Sequence, residues 1–235
     1  MKISSDTLSI LKNFRDLNSN VLVKPGNVIK TLTGAKNVMA TAIVKENFPV
    51  EFGIWDLTSF LGTVSLFDDP DFDFNEKYVT IKSSSSSKVK YFYSDPSLLT
   101  IPTKDVKMPE TVVSLDLSEE TFSELKKAGA VLGLSDLSIR NSDVGVSAIL
   151  YDKSKSTNNT FTLDINTASY SDGDEFNFDF NLENLRFIPG SYEMNVAEKV
   201  VSEFTNTSGL DITYWVALEG TSSYTRSEVK TGVSW

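Results

Sequence analysis

The hydrophobic residues near the start of the chain follow the period of an α-helix. Between residues 6 and 17 they recur every three positions, at Leu8, Leu11, Phe14 and Leu17. This spacing predicts an amphipathic helix with one apolar face, from which Lys12 and Arg15 project away. Ser5 or Asp6 can cap its start by accepting a hydrogen bond from an unpaired first-turn N–H group.

A second helical period runs over residues 118–132. Its predicted apolar face consists of Phe122, Leu125, Ala128 and Leu132. Asp116 and Glu119 have the spacing of a capping box in front of it. The sequence therefore predicts one long helix in each half of the chain.

Short runs rich in β-branched and aromatic residues fill much of the remaining chain, which is typical of strands. Residues 176–180 alternate strictly between Phe and polar residues, so one face is expected to be buried and the other wet. The pattern predicts an α+β protein. The main strand candidates are residues 20–23, 38–44, 78–82, 88–93, 146–151, 160–165, 176–180, 192–196 and 212–218.

The two halves of the chain repeat the same order of elements. Each begins with an amphipathic helix followed by strands. Each continues with a short helix, at residues 56–61 and 182–187, and then a strand, from Gly62 and from Ser191. Such a long repeat predicts two copies of one fold rather than a solenoid. Pro102 and Pro109 interrupt regular structure between them, so we predict domains at 1–100 and 110–235 with a connector at 101–109.

The absence of Cys and His narrows the possible chemistry. Without these side chains the chain cannot build Cys–His or Ser–His nucleophilic sites, disulfides or Cys/His zinc sites. Phosphate-binding GxxxxGK[ST] and GxGxxG motifs are also missing. Carboxylates remain, and Asp68, Asp69, Asp71 and Asp73 form a cluster that could serve a hydrolase or hold magnesium. We interpret this cluster as a solvated turn, and we expect no cofactor and no metal.

Charge is segregated along the chain, whose formal net charge is −10. Residues 46–76 contain eight acidic residues and no basic one, and residues 164–183 contain six and none. The basic residues concentrate elsewhere, in the two helix regions and on successive predicted strands that carry Lys77, Lys82, Lys88 and Lys90. Because salt screens charges beyond about 8 Å, a local cationic surface can exist on an acidic protein. Taken alone, however, Lys12, Arg15, Lys126 and Lys127 are better explained as the solvated faces of two surface helices.

Several segments resemble the sliding clamps of T-even-like phages, over nearly the whole chain. In the first half these are residues 1–4 (MKIS), 6–7 (DT), 11–14 (LKNF), 54–62 (IWDLTSFLG), 65–66 (SL) and 95–97 (DPS). In the second half they are residues 176–178 (FNF), 189–192 (PGSY) and 216–219 (VALE). The resemblance implies a non-enzymatic processivity factor with two similar domains, sheets outside and helices inside, that assembles as a ring.

The resemblance also implies a set of partners. It predicts a homotrimer that encircles double-stranded DNA without sequence specificity, binds the replicative DNA polymerase and is loaded by a clamp-loader ATPase. Residues 1–20 lack the apolar core of a secretory signal, and no segment has the roughly 20 apolar residues of a membrane span. We therefore expect a protein that binds no membrane and acts in the cytoplasm of an infected bacterial host cell.

Site residues follow from the same resemblance. Facing DNA we expect Lys12, Arg15, Lys126 and Lys127, with Lys2 and Arg186 as weaker candidates. For a groove that binds a partner peptide we expect Ile101, Val106 and Met108, which could equally pack the two domains together. For the subunit interface we expect one strand, Lys88, Val89, Lys90, Tyr91, Phe92 and Tyr93, to meet a second strand of the neighbour, Thr160, Phe161, Thr162, Leu163, Asp164 and Ile165.

Two other classes of protein share some of these features. An acidic, β-rich tail or baseplate subunit of a phage would also lack Cys and form oligomers. A carboxylate hydrolase could use the cluster at residues 68–73. The oligomeric state distinguishes the first alternative from a clamp, and Asp→Asn substitution in the cluster distinguishes the second.

Overall fold

A computed structural model describes residues 1–83, 87–142, 145–155, 159–198 and 201–227. The chain divides into two compact units of mixed helix and antiparallel sheet. Unit 1 contains Met1–Val106, Arg186–Ile188 and Gly209–Trp215, and unit 2 contains Lys107–Leu185, Pro189–Ser208 and Val216–Trp235. The α+β fold class is therefore confirmed.

In the first half of the chain, the described residues form two helices, a short 3₁₀ turn at Pro96–Leu98 and seven strands. The helices are α1 (Ser5–Leu17) and α2 (Leu57–Val64). The strands are β1 (Val21–Val23), β2 (Gly26–Leu32), β3 (Val38–Phe48), β4 (Phe52–Ile54), β5 (Asp71–Phe74), β6 (Tyr78–Lys82) and β7 (Lys88–Phe92).

In the second half, the part of the chain that the structure describes forms one long helix, α3 (Glu119–Leu132), a 3₁₀ turn at Leu182–Asn184 and ten strands. The strands are β8 (Thr111–Leu117), β9 (Asp136–Ser142), β10 (Gly145–Tyr151), β11 (Phe161–Ile165), β12 (Ser169–Tyr170), β13 (Glu175–Asn181), β14 (Tyr192–Ala197), β15 (Val201–Asn206), β16 (Ile212–Ala217) and β17 (Ser223–Thr225).

The strands described above form two sheet segments in each unit. In unit 1 the strand orders are β16-β3-β2-β1-β4 and β5-β6-β7. In unit 2 they are β12-β8-β14-β15 and β11-β10-β9-β13-β17. Alternating burial along β2, β8 and β15 turns one side of each strand toward a core and leaves the other side partly exposed.

Helix α1 confirms the first predicted helix but not all of its predicted apolar face. The buried side chains are Thr7, Ile10, Leu11 and Phe14, whereas Leu8 and Leu17 are only half-buried. Because a helix turns about 100° per residue, positions strictly three apart drift around it, and the 7-10-11-14 spacing stays on one face. The cap is also one residue earlier than predicted, since Ser4 accepts from the Thr7 N–H at 3.3 Å.

Helix α3 likewise confirms the second predicted helix with a correction at each end. Ser118 caps it by accepting from the Thr121 N–H at 3.1 Å. The predicted capping box is wrong because Asp116 is a residue of β8. The buried residues are Phe122, Leu125 and Gly129, and Leu132 is 40% exposed because the helix ends one residue later at a left-handed Gly133.

The predicted repeat is less regular than the sequence suggested. Helix α2 extends to Val64 and buries Leu61 and Val64, so the strand predicted from Gly62 is wrong. Asp56 caps the helix start by accepting from the N–H groups of Thr58 and Ser59. In the second half, only a 3₁₀ turn forms within the segment predicted as a short helix.

Candidate functional site

The first group of candidate side chains lies on α1. Lys12 is exposed. Arg15 is 37% exposed and donates to the adjacent Asp16 carboxylate at 2.9 Å. This ion pair partly neutralises Arg15, so Lys12 is the more available cation of the two.

Helix α1 is fixed to β3 at its N-terminal end. The Glu46 carboxylate accepts from the Ser4 N–H and the Thr7 hydroxyl, and Lys45 forms an ion pair with Asp6 at 2.7 Å. Partial burial raises the pKa of Glu46, but the hydrogen bonds from Thr7 and Ser4 outweigh it and leave that pKa below its ordinary value. The cationic face of the helix is therefore held in a defined orientation on unit 1.

Arg186 comes from the second half of the sequence but lies beside α1. The Asn13 side-chain amide donates to the Arg186 carbonyl at 2.7 Å. Tyr214 donates its hydroxyl proton to the Asn13 side-chain oxygen at 2.8 Å and stacks on Phe187 at 4.3 Å. The structure thus places the Arg186 backbone against α1, at Asn13. Sequence reasoning missed Asn13 and Tyr214, since a pattern of single residues does not reveal a bond across 201 positions.

Lys2 is the weakest of the six predicted cationic residues. Its ammonium group contacts the carboxylates of Asp69 at 2.8 Å and Asp71 at 3.7 Å. The hydrogen bond to Asp69 raises its pKa. Two members of the aspartate cluster are therefore partners of a lysine, and among the described residues no group of Asp and Glu could hold a metal ion.

Lys126 and Lys127 lie on α3 in unit 2 and have different environments. Lys127 is exposed. The Lys126 ammonium lies over the Phe122 ring, 4.6 Å from its centroid. Desolvation by burial lowers the pKa of Lys126 to about 8, so most of the population is still charged at neutral pH.

The two strands predicted to form the subunit interface are both edge strands. Within the described residues β7 pairs only with β6, and β11 pairs only with β10. Phe92 in β7 is 66% exposed although it is aromatic. Exposed edges carry unpaired backbone N–H and C=O groups that can accept another strand.

A groove lies between one face of β1 and β2 and residues 101–105, and we call it the connector groove. Leu22 pairs directly with Lys30 in the antiparallel ladder, so Leu22, Val28 and Lys30 share a face. The opposite face is the buried one, with Val21, Val23 and Ile29 at most 1% exposed. The groove has a volume of about 480 Å³, and Ile101 and Pro102 line its other side.

Of the three predicted groove residues, Ile101 lines the connector groove. Val106 and Met108 are half-buried residues that follow its lining segment in the chain. Sequence reasoning missed the strand face that forms the floor. The alternation of side chains along residues 28–32 could have identified this strand face, because Val28 and Lys30 fall on the side away from the core.

The arrangement of the chain resembles sliding clamps of known structure. The proliferating cellular nuclear antigen of Entamoeba histolytica matches with a TM-score of 0.67 at 11% identity, covering 93% of this chain and 97% of that one. The nuclear antigen of A. fulgidus, solved with the C-terminal region of FEN-1, matches with a TM-score of 0.65 at 14% identity, covering 94% and 96%. These similarities show the class of fold, which is that of the DNA sliding clamps.

Sequence comparison then defines the family. The model of the gp45 sliding clamp C-terminal region matches residues 114–220. The sliding clamp of Vibrio phage KVP40 is 31% identical over 225 residues, covering 93% of this chain and 99% of the relative. The sliding clamp of Escherichia phage RB69 is 26% identical over 229 residues, covering 95% and 99%. The chain belongs to the sliding clamp family of T4-like phages.

Proposed function

We propose that three copies of this chain close into a ring around duplex DNA and hold the replicative polymerase of the phage at the primer end. Sliding clamps are non-enzymatic processivity factors, so the mechanism depends on assembly rather than on a reaction. The observation that supports assembly into a ring is the position of β7 and β11, and three is the number of copies that the family resemblance implies. Each is the outermost strand of its sheet, and they lie in different units.

Two different edges on one chain favour a head-to-tail interface. Lys88, Lys90 and Phe92 alternate on the exposed side of β7, and Thr162 and Asp164 alternate on the exposed side of β11. Pairing these strands between copies would satisfy the unpaired backbone groups, cover Phe92 and place lysines opposite an aspartate. A head-to-tail interface closes a ring when the rotation between copies allows it.

Within this ring, Lys12, Arg15 and Arg186 of unit 1 and Lys126 and Lys127 of unit 2 would face the phosphate backbone. The exposed Lys12 and Lys127 are the leading candidates, and Lys2 contributes least because Asp69 and Asp71 already neutralise it. Contacts of lysine with phosphate are independent of sequence and weaken with salt. A closed ring needs no stronger attachment, because its topology prevents it from leaving sideways.

The partners would be those of a replication clamp. An ATP-dependent clamp loader would open the ring, and the protein would act in the cytoplasm of the infected host. In the described part of the chain, no helix has the length and apolar character required to cross a membrane. We keep the predicted division into residues 1–100, 101–109 and 110–235 as part of this proposal. The alternative of a tail or baseplate subunit is not favoured by the family membership.

The polymerase would be tethered by a peptide in the connector groove. The groove has an apolar floor, and Val28 at 38% exposure lies beside Ile43 at 46% exposure on the next strand. Overlapping peptides of the polymerase can be tested for binding to the purified clamp. We expect Val28→Glu to abolish binding of the selected peptide. Val131→Glu, at a 75% exposed position on α3, is the matched control and should leave binding unchanged.

Native mass and retention on circular against cut DNA test whether the protein forms a closed ring around the duplex. Native mass should give three chains, and the cognate loader with ATP should place the protein on nicked circular DNA. Cutting that circle once should release the protein within the time taken to slide to an end. A monomer, an open-ended polymer, or equal retention on circular and cut DNA would contradict the proposal.

A further inference from the structure

Two residues that line the connector groove form an ion pair with each other. Lys30 on β2 donates to the carboxylate of Asp105 in the connector. Both residues line the groove. The Lys30 side chain is 34% exposed and the Asp105 side chain is 72% exposed, so the lysine is partly sheltered while its partner is largely in solvent.

The charge of the groove is opposite to that of the whole protein. Its lining contains Lys24, Lys30 and Lys104 against a single acidic residue, Asp105, in a chain with a net charge of −10. Lys24 and Lys104 are exposed. The apolar part of the lining includes Leu22 and Val28 on the strand face and Ile101 on the opposite side. This combination complements a peptide that carries apolar residues next to carboxylates.

We propose that Asp105 is a gate residue, whose place on Lys30 is taken by a carboxylate of the incoming peptide. In the free protein Asp105 satisfies Lys30 and holds the connector against β2. When an acidic peptide binds, its carboxylate pairs with Lys30 and Asp105 moves into solvent, so the connector is released over the groove. The inference rests on the proposed function of the groove, and it adds the acidic class of the peptide and a built-in competitor.

The gate has a defined energetic consequence. Because the bound peptide must displace Asp105, removing the Asp105 charge should strengthen the binding of an acidic peptide. Exposed ion pairs contribute about 0.2–1 kcal/mol, which corresponds to an increase in affinity of up to about fivefold. A peptide without carboxylates does not compete for Lys30, so it should gain nothing.

The test uses the full-length clamp and the polymerase peptide selected on the wild-type protein. The probe is that peptide labelled with fluorescein, in its natural form and with each Asp and Glu replaced by the amide. We expect Asp105→Asn to raise the affinity of the natural form about two- to fivefold and to leave the amide form unchanged. Lys30→Gln should weaken the natural form, and in the double variant the gain from Asp105→Asn should disappear.

The matched control is Asp68→Asn, which removes one exposed negative charge of unit 1 outside the groove. It should leave both affinities unchanged. Equal gains for both peptide forms, a gain that persists with Lys30→Gln, or a selected peptide without any acidic residue would overturn the gate. If the connector groove did not bind the peptide at all, the result would differ from failure of the gate. The peptide would then bind the wild type and Val28→Glu with equal affinity.

Discussion

The partly buried environment of Lys126 disfavours the charged form of its side chain. Burial lowers its pKa to about 8, whereas an unfolded lysine has a pKa of about 10.4. Between these values the unfolded state binds more protons, so the free energy of unfolding rises with pH over that interval. We expect Lys126→Met, which keeps an apolar stem over Phe122, to lose this rise. The measurement is chemical unfolding at pH 7 to 10.5 at one fixed protein concentration.

The informative quantity is the difference in the free energy of unfolding between the wild type and Lys126→Met at each pH, because other lysines and tyrosines also titrate in this range. Lys127→Met, at the adjacent exposed position, is the control and should follow the wild type. If wild type and Lys126→Met showed the same pH dependence, the ammonium group would be solvated and its depressed pKa would be wrong.

Glu46 differs from Lys126 because its environment favours the charged form. Its pKa is below the ordinary value because hydrogen bonds from Thr7 and Ser4 outweigh the effect of partial burial. Such a group stabilises the fold above its unfolded pKa of about 4.3 and loses that contribution as pH falls through its lower, folded pKa. We expect Glu46→Gln to cost about 1–2 kcal/mol at pH 7 and to flatten the acid limb of the stability curve between about pH 5 and pH 3.

Glu51→Gln removes an exposed carboxylate just beyond β3 and provides the comparison. A loss of stability shared by both variants would point to net charge rather than to the anchoring of α1. An acid limb unchanged by Glu46→Gln would contradict the depressed pKa.

Residues such as Lys2 show why the site could be predicted only in part. The sequence identifies which side chains are cationic, but it does not reveal that the Lys2 ammonium meets Asp69, 67 positions away. Likewise, Arg186 was a weak candidate because nothing local connects it to α1. Partners that are distant in sequence are determined by tertiary packing, which hydrophobic periodicity does not encode.

The helices were the most predictable elements because their signal is local. Both long helices and their approximate bounds follow from the 3.6-residue period. Their caps were misplaced by one residue or more, since several hydroxyl and carboxylate groups compete at each start. The end of α2 was missed because Gly62 suggested a break, whereas burial of Leu61 and Val64 outweighs the helix cost of one glycine, about 1 kcal/mol.

Gly129 illustrates how closely α3 packs. A Cβ atom there would lie 2.6 Å from the Leu182 side chain and 3.1 Å from the Leu134 carbonyl oxygen. We expect Gly129→Ala to lower the free energy of unfolding by about 1–3 kcal/mol through overpacking, despite the better helix propensity of alanine. Gly62→Ala, where nothing lies within 4 Å of the added Cβ, should be neutral or stabilising. Chemical unfolding of both variants checks this, and a stabilised Gly129→Ala would contradict the packing.

Strand β7 provides the test of the subunit interface. Phe92 is exposed on an edge strand, where it contacts Tyr78 at 5.6 Å between ring centroids. A charge at this position should disfavour strand addition, because the aspartate would be buried without a partner in the interface. We expect Phe92→Asp to shift the native mass from trimer to monomer at micromolar concentration while circular dichroism stays unchanged.

Leu66→Asp, at a 72% exposed position after α2, makes the same chemical change away from the strand edges and should remain trimeric. A trimeric Phe92→Asp would place the interface elsewhere. Loss of the trimer in both variants would indicate a general effect of added negative charge.

For the whole protein, the central problem is how a chain with a net charge of −10 can enclose a polyanion. The proposed answer is that exposed cations on α1 and α3 face the duplex. Lys12 and Lys127 are exposed, one in each unit. In a trimer the double change Lys12→Glu and Lys127→Glu alters six positions around the ring. Each lost phosphate contact should reduce the slope of log retention against log salt by about 0.9.

We therefore expect this double variant to form a trimer of normal native mass yet to be retained several-fold less on nicked circular DNA near 0.15 M salt, with a shallower salt dependence. Lys36→Glu with Lys107→Glu makes the same change in net charge at two other exposed positions and should be retained like the wild type. Equal losses in the two double variants would mean that net charge alone governs retention. Unchanged retention of the first would mean that α1 and α3 do not face DNA, because repulsion between six glutamates and phosphate must weaken a ring that surrounds it.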